Sequence, residues 1–345
     1  MQKNEETSCD VAGASAGSLK PSLVLIRKCE FRQQYKIRWS CLVEEIPVNP
    51  VAISLLTRMV ANVCFFALLF FCSVPTTSAQ ELSKLPYVPT PQIVVDEMLK
   101  MAGVTAKDFV IDLGSGDGRM IITAARNFSA SGVGVDIDAK LVNLSNNQAK
   151  SDGVGDRAKF IEQDMFKADI SKATVVTLYV LPDFMEKLRP KLMAELKPGT
   201  RIVAHDYYMS EWYPDRQVSL TVPEKRAANG TDKAYIYLWI VPTLVTGDWR
   251  MELDLGGGKR QMVVLTFDQQ YQRLTSAWAD YGLGAMKIEE PLLRGNEISF
   301  KLAIGANPYQ FTGNINDGKM EGTAVTPGNS RLTPWRAGKL PLKKK

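Results

Sequence analysis

Asp112-Leu113-Gly114-Ser115-Gly116-Asp117-Gly118-Arg119 is the stretch on which the fold turns. It follows Phe109-Val-Ile-Asp-Leu113, a short apolar run that reads as a buried strand, and it opens Met120 to Asn127, which reads as a helix. Glycines at such a junction let a ligand approach the backbone closely, and the helix start offers N–H groups that have no partner inside the helix. A dinucleotide-binding loop would need Gly-x-Gly-x-x-Gly, with its last glycine at 119, where Arg119 stands. Asp112, two residues before the first glycine, would also meet a pyrophosphate with like charge. A dehydrogenase is therefore disfavoured, and the loop suits a cationic ligand better.

S-adenosylmethionine, with its ammonium and sulfonium, is such a ligand, and the sequence on either side keeps the spacing it needs. Gln92 to Ala102 has apolar residues at 94, 95, 98, 99 and 102, one helical face. Gly132-Val-Gly-Val-Asp136 is a second strand, and Leu141 to Asp152 a helix. Lys159 to Glu162, Thr174 to Val180, Arg201 to Ala204 and Ala234 to Val241 are further strands, and the helix Phe184 to Leu196 stops at Lys197-Pro-Gly199. Such alternation predicts an α/β fold, a parallel, doubly wound, Rossmann-like sheet covered on both faces. Asp136, ending the second strand, is placed to accept both ribose hydroxyls. Asp164, ending the third, is placed to accept the adenine amino group, and Ile137 and Met165 to sandwich the ring. A lone loop aspartate is usually just solvated. Three acids at successive strand ends, with Gly114, Ser115, Gly116 and Gly118 after the first, form a pattern that solvation does not explain.

After Thr246 the hydrophobic period changes to two. Trp249, Met251 and Leu253 alternate with polar residues, as do Ile298, Phe300, Leu302 and Ile304. Turns recur at Gly256-Gly-Gly258, Gly295-Asn296, Asp317-Gly318 and Pro327-Gly328. The expectation is a small antiparallel β domain at 247–340, a barrel or sandwich of seven or eight short strands. It shows no catalytic constellation and reads as a packing or partner-binding module.

The 345 residues carry 45% hydrophobic and 23% charged side chains with 25 Gly and 18 Pro, which excludes collagen, coiled-coil, disordered-tail and polytopic membrane classes. The net charge of +5 is spread out and leaves no nucleic-acid footprint. All five cysteines lie between Cys9 and Cys72, and His205 is the one histidine. The region beyond Cys72 therefore offers no disulfide, no thiolate and no metal-ligand set. Val63 to Cys72 is an apolar run with Arg58 before it and Thr77-Ser-Ala79 after it, the order of a secretory signal over 59–79, with a cut at Ala79-Gln80. Residues 59–74 would make a short membrane anchor if uncut. Phe71 before Cys72 speaks against a lipoprotein. Residues 1–50 lack helical or strand periodicity, and the stretch 1–58 reads as a disordered extension or one that precedes a natural start near Val51 or Met59, or else as a cytoplasmic tail on a signal anchor. The expected location is the periplasm or cell envelope, or a membrane surface. The methyl-donor domain would span 80–242.

Pro86-Tyr-Val-Pro-Thr90, the glycine stretch and Trp212-Tyr-Pro-Asp215 together resemble the class I, seven-β-strand S-adenosylmethionine-dependent methyltransferases. Within that class they are similar to the mitochondrial lysine methyltransferases of the ADP/ATP carrier and the ATP-synthase c-subunit, and to their bacterial relatives. The likeness covers about 85–242. It implies a transferase that methylates a protein lysine, with Tyr87 and Thr90 closing over the site and Tyr179 flanking the amine. Core packing is the plainer role for each tyrosine alone. Tyr179-Val-Leu-Pro182 stands where nucleic-acid amino methyltransferases carry Asn-Pro-Pro-Tyr, which speaks against DNA or RNA. The export signal, His205-Asp206 and the β domain depart from the family pattern. His205 and Asp206, at the ligand edge of the fifth strand, fit a general base or a hydrogen-bonded structural pair equally. Arg119 is expected to pair with a nearby carboxylate. The rival reading is an exported binding module that keeps the fold without activity, because S-adenosylmethionine is made in the cytoplasm. The intact acids and glycines favour the enzyme. Nothing in the sequence sets the oligomeric state.

Overall fold

The computed structural model describes residues 87–226, 230–328 and 331–341. The expected extension, leader and anchor stretch, all five cysteines and Lys343-Lys344-Lys345 lie outside the described residues. Among the described residues no helix is long and apolar enough to cross a membrane.

The first sheet has seven strands in the order β3-β2-β1-β4-β5-β7-β6. These are β1 Phe109–Leu113, β2 Ser131–Asp136, β3 Ala158–Glu162, β4 Val175–Leu178, β5 Arg201–His205, β6 Arg216–Thr221 and β7 Lys233–Ile240. The first five run parallel. β7 is antiparallel to β5 and β6 to β7, so the wholly parallel sheet expected is corrected at this edge. β6 was not foreseen. Its residues are mostly exposed, so it has no apolar run to announce it; the backbone of β7 recruits it.

Both faces of β1 are covered, which is why its sequence is nearly continuous in apolar residues. Val110 shares one buried cluster with Val94, Met98 and Leu99 of α1 (Gln92–Met101), which lies over β5 and β7 on the same face, and with Ile121 and Ala125 of α2 (Arg119–Phe128). Val142 and Ala149 of α3 (Ala139–Ser151) close the same layer. Ile111 and Leu113 point the other way, to Leu188 and Leu192 of α4 (Pro182–Glu195). The strand order reverses between β1 and β4, and the crevice outside the carboxyl ends of strands at such a point is where α/β sheets bind ligands.

The second sheet has nine antiparallel strands, one or two more than expected: β8 Gly247–Gly256, β9 Lys259–Gln270, β10 Arg273–Asp280, β11 Ala285–Lys287, β12 Glu289–Arg294, β13 Glu297–Ile304, β14 Asn307–Asn316, β15 Lys319–Val325 and β16 Thr333–Lys339. Only Ile288 separates β11 from β12, and its N–H donates to Ala277 O at 2.9 Å, so a single run of sequence serves both ends of the sheet. This brings β12 against β10 and makes a nearly closed barrel rather than a sandwich. Inward residues of alternating strands fill it, with Phe300 and Phe311 stacked at 4.7 Å and Trp335 edge-on to both.

Candidate active site

The loop between β1 and α2 bends only because its glycines reach left-handed backbone: φ is 83° at Gly114, 54° at Gly116 and 80° at Gly118. Gly114 and Ser115 donate their N–H groups to Val135 O at 2.8 and 3.0 Å, which docks the loop on β2. A Cβ on Gly118 would lie 2.6 Å from the Phe160 ring and 2.7 Å from Ser145 Cβ. One on Gly116 would lie 2.4 Å from the Tyr87 ring. The glycines therefore make room for neighbours as well as for a turn.

Beside this loop opens a cavity of about 520 Å³. Asp112 lines it from the end of β1. Its Oδ1 accepts a 2.6 Å bond from Thr177 Oγ1, the residue opposite it on β4. Burial pushes its carboxyl up to about 7, against the Thr177 bond and with help from the charges of Asp136 and Asp117. Asp136 accepts from Gly116 N at 2.8 Å and from Asp138 N at 2.9 Å, so the loop and the start of α3 hold its side chain still. Ile137, Gln163 and Met165 form the far wall. Asp164 is placed differently from these: its carboxylate caps Phe166 N at 2.9 Å, stands 4.0 Å from Lys167 Nζ, and does not line the cavity.

The cavity fits S-adenosylmethionine. The hydroxyl of Ser115 is buried and has no hydrogen-bond partner among the described residues, and the three glycines leave a cradle that side chains would fill. The ligand is cationic, and Asp112, Asp117, Asp136 and Asp138 all face the cavity while Arg119 is the one basic residue in its lining. Asp112 and Asp136 would hold its polar groups, the loop its amino-acid end, and Ile137 with Met165 its ring.

Arg119 pairs with a carboxylate, as expected, and does one thing more. Its Nε donates to Asp117 Oδ1 and Oδ2 at 2.9 and 3.0 Å, and its Nη1 reaches back to Thr90 O at 2.8 Å. Tyr87 also bonds Asp117, and burial followed by that negative charge pushes its hydroxyl up to about 12, so it stays protonated. Asp117 and Arg119 thus latch the segment from Tyr87 to Thr90 onto the glycine loop. Replacing Arg119 with Met should break the latch and weaken both cofactor binding and turnover about tenfold, since one charged hydrogen bond is worth roughly 1.5 kcal/mol. Titration calorimetry and initial rates check this; unchanged values would mean that the segment holds its place unaided.

Aromatic rings also line the cavity: Tyr87 over the glycine loop, and Tyr179 and Tyr207, stacked on each other at 6.2 Å. His205 stands behind this wall and does not line the cavity. Its ring lies 4.1 Å from that of Tyr179, and its Nδ1 is 3.4 Å from Thr90 Oγ1. Burial lowers its pKa to about 4, against the nearby Asp206 charge. A ring so placed reaches Thr90 and packs on Tyr179, which favours the structural pair over the general base. Asp206 also stands outside the cavity. It forms a buried ion pair with Lys225 and accepts Tyr235 N at 3.1 Å, in left-handed backbone at φ 61°.

Sequence reasoning did not select Thr177, Tyr207 or Lys225. Thr177 left a signal, a lone polar residue inside Val175-Val-Thr-Leu178 that burial would forbid without a partner. Lys225 left none, because its partner is nineteen residues away.

Residues 112–216 match the family model of the ANTKMT methyltransferase domain. The chain is 40% identical over 158 residues to a protein-lysine N-methyltransferase of Saccharolobus islandicus, a match spanning 46% of this chain and 94% of that protein. It is 33% identical over 178 residues to the ATP synthase c-subunit lysine N-methyltransferase of Rattus norvegicus, across 49% of this chain and 81% of that protein. Among solved structures, an RNA methyltransferase from Salinibacter ruber in complex with S-adenosyl-L-homocysteine is 47% identical, covering 46% of this chain and 96% of that chain, with a TM-score of 0.42.

Proposed function

We propose, from the premise that this chain belongs to the family of S-adenosylmethionine-dependent methyltransferases that holds these protein-lysine N-methyltransferases, that its own methyl acceptor is a lysine side chain of a protein. One observation supports this most directly. The cavity joins four carboxylates to the aromatic rings of Tyr87, Tyr179 and Tyr207, and its one cation, Arg119, is already paired. Aromatic faces attract an ammonium and its methylated forms. A phosphate backbone brought to the same mouth would meet negative charge, which disfavours a nucleic acid. Family membership and the intact glycine loop favour the enzyme over a binding module that has only kept the fold.

When bound, S-adenosylmethionine supplies a methyl group on a positively charged sulfur. The chain's own part is orientation and exclusion of water. The Tyr87 to Thr90 segment, latched by Arg119, closes one side; Tyr179, backed by His205, closes the other. Between pH 6 and 9 neither His205, held near 4, nor Tyr87, held near 12, changes charge. A lysine amine must arrive neutral, so at saturating cofactor the rate should climb with pH toward the lysine pKa of about 10.4, with no inflection from either residue. The apolar stretch Val63 to Cys72 supports a place at the cell envelope, so envelope proteins are the acceptors to try first.

The test is radiolabelled S-adenosylmethionine with envelope and soluble extracts of the source cells, followed by acid hydrolysis of labelled bands. Methylated lysine in discrete bands, produced by wild type and not by Asp112→Asn, is the expected result. Label confined to RNA, lipid or small molecules would overturn the lysine reading while leaving the methyltransferase in place.

A further inference from the structure

The barrel meets the methyltransferase domain at the β12–β13 turn, where Gly295 lies against Gly199 and Ile240, and at one irregular segment that reaches the cavity. Residues 206–215 connect β5 to β6, and Tyr207 at their start forms part of the aromatic wall. A loop on the surface is ordinarily the mobile part of a site. This one is pinned from two sides. On one side Ser210 donates both its N–H and its hydroxyl to Glu186 of α4, each at 2.7 Å. On the other stands the tight turn between β9 and β10, whose Tyr271 takes left-handed backbone at φ 54° and lays its ring flat on Trp212, at 5.4 Å and 8° between planes. Arg189 of α4 sits 5.9 Å from the same Tyr271 ring. The next residue, Gln272, donates to Tyr213 O at 2.5 Å, and Arg273 lies over the Tyr213 ring at 5.4 Å.

Trp212 is fully buried, yet its Nε1 has no hydrogen-bond partner among the described residues. Its ring stacks on Tyr271 and lies tilted at 56° to Trp239, while Trp239 Nε1 donates to Trp212 O at 2.6 Å and Trp212 N donates to Met209 O at 3.1 Å. The β9–β10 turn therefore braces the segment that carries Tyr207. The glycine loop, Asp112 and Asp136 take no bond from the barrel.

We propose that Tyr271 of the barrel is a positioning residue for the methyl-acceptor end of the site, acting through Trp212 on the segment that presents Tyr207. This gives the barrel a catalytic duty inside its own chain. It rests on Tyr207 facing the acceptor, and it holds whether that acceptor is a lysine or another group.

Three variants separate positioning from packing. Tyr271→Ala removes the ring, Tyr271→Phe keeps it, and Phe300→Leu loosens the barrel core away from the seam. Hydrogen exchange is followed on peptides covering 206–215 and 112–118. Affinity for S-adenosylhomocysteine is measured by calorimetry, and the apparent KM is measured with the acceptor fraction that the labelling experiment identifies, of whatever class. Tyr271→Ala is expected to speed exchange at 206–215 at least tenfold and to raise the acceptor KM about tenfold. Exchange at 112–118 and S-adenosylhomocysteine affinity should stay within twofold. Tyr271→Phe should behave as wild type, and Phe300→Leu should lower the melting temperature without moving the acceptor KM. Unchanged exchange at 206–215, an unchanged acceptor KM, a KM rise shared by Phe300→Leu, or a matching loss of S-adenosylhomocysteine affinity would each overturn the proposal. A failed lysine assignment would appear only as the chemical class of the labelled acceptor and would leave the exchange result standing.

Discussion

Asp112→Asn should weaken cofactor binding roughly 100-fold, about 3 kcal/mol, and at the same time make the cofactor-free enzyme melt at a higher temperature at pH 8. The two effects have one cause. In the fold, burial above all holds the Asp112 carboxyl up to about 7, while in the unfolded chain it titrates near the ordinary 3.8. Between about pH 4 and 7 the folded enzyme thus keeps a proton that the unfolded chain has released. Stability must fall as pH rises through that window, and the loss remains above it. Asparagine retains the shape and a partner for Thr177 without the charge, so this loss should vanish. A cationic cofactor offsets the same cost in the wild type by giving the buried charge a partner, and the variant forgoes that gain. Scanning calorimetry at pH 5 and pH 8 and titration with S-adenosylhomocysteine and S-adenosylmethionine check both halves. Affinity within threefold of wild type would refute the role given to Asp112.

Gly118→Ala is the second large effect. The substitution adds one methyl group where φ is 80° and where Phe160 and Ser145 already stand within 2.7 Å of it. Neither neighbour can step aside easily. Phe160 is buried under α3, and Ser145 Oγ donates to Gly116 O at 2.9 Å, so pushing it moves the loop. Left-handed strain and overpacking together should cost about 3 kcal/mol, or roughly 6–12 °C in melting temperature for a domain of this size. Cofactor binding should be lost along with the loop's shape. Gly153→Ala is the fitting control: its φ of 67° imposes similar strain, but nothing lies within 4 Å of the added atom. It should cost less and leave binding intact.

What could be read from the sequence and what could not divide along a physical line. The glycine loop was legible because backbone geometry favours particular residues at particular spacings: Gly114, Gly116 and Gly118 combine left-handed φ with neighbours that a Cβ would crowd. The buried strands were legible because a sheet covered on both faces must be apolar throughout. β6 was not, because an exposed edge strand is specified by its neighbour's open hydrogen bonds and not by its own composition. His205 stood out as the one histidine, but a position at a strand end does not reveal whether the ring faces ligand or core, and Thr90 and Tyr179 lie between it and the cavity. Tyr207 and Tyr271 were invisible as a pair. Each is an ordinary tyrosine in a polar turn, and only the docking of barrel on sheet brings them to the two ends of one segment.

The seven-stranded sheet is complete at Ile240, whereas Tyr271 comes later in the chain. Protein synthesis runs from the N-terminus at about 5–20 residues per second, and domains fold as they emerge. For a few seconds each nascent chain therefore holds a finished sheet with one face of Trp212 uncovered, next to a Tyr213 carbonyl still waiting for Gln272. A premature stop anywhere between 242 and 270 would make that state permanent. It would yield a protein that looks folded by secondary structure yet carries an apolar patch ready for a chaperone or for another copy of itself. Ribosome pausing over β8 and β9 would lengthen the same exposure without altering one residue of the product.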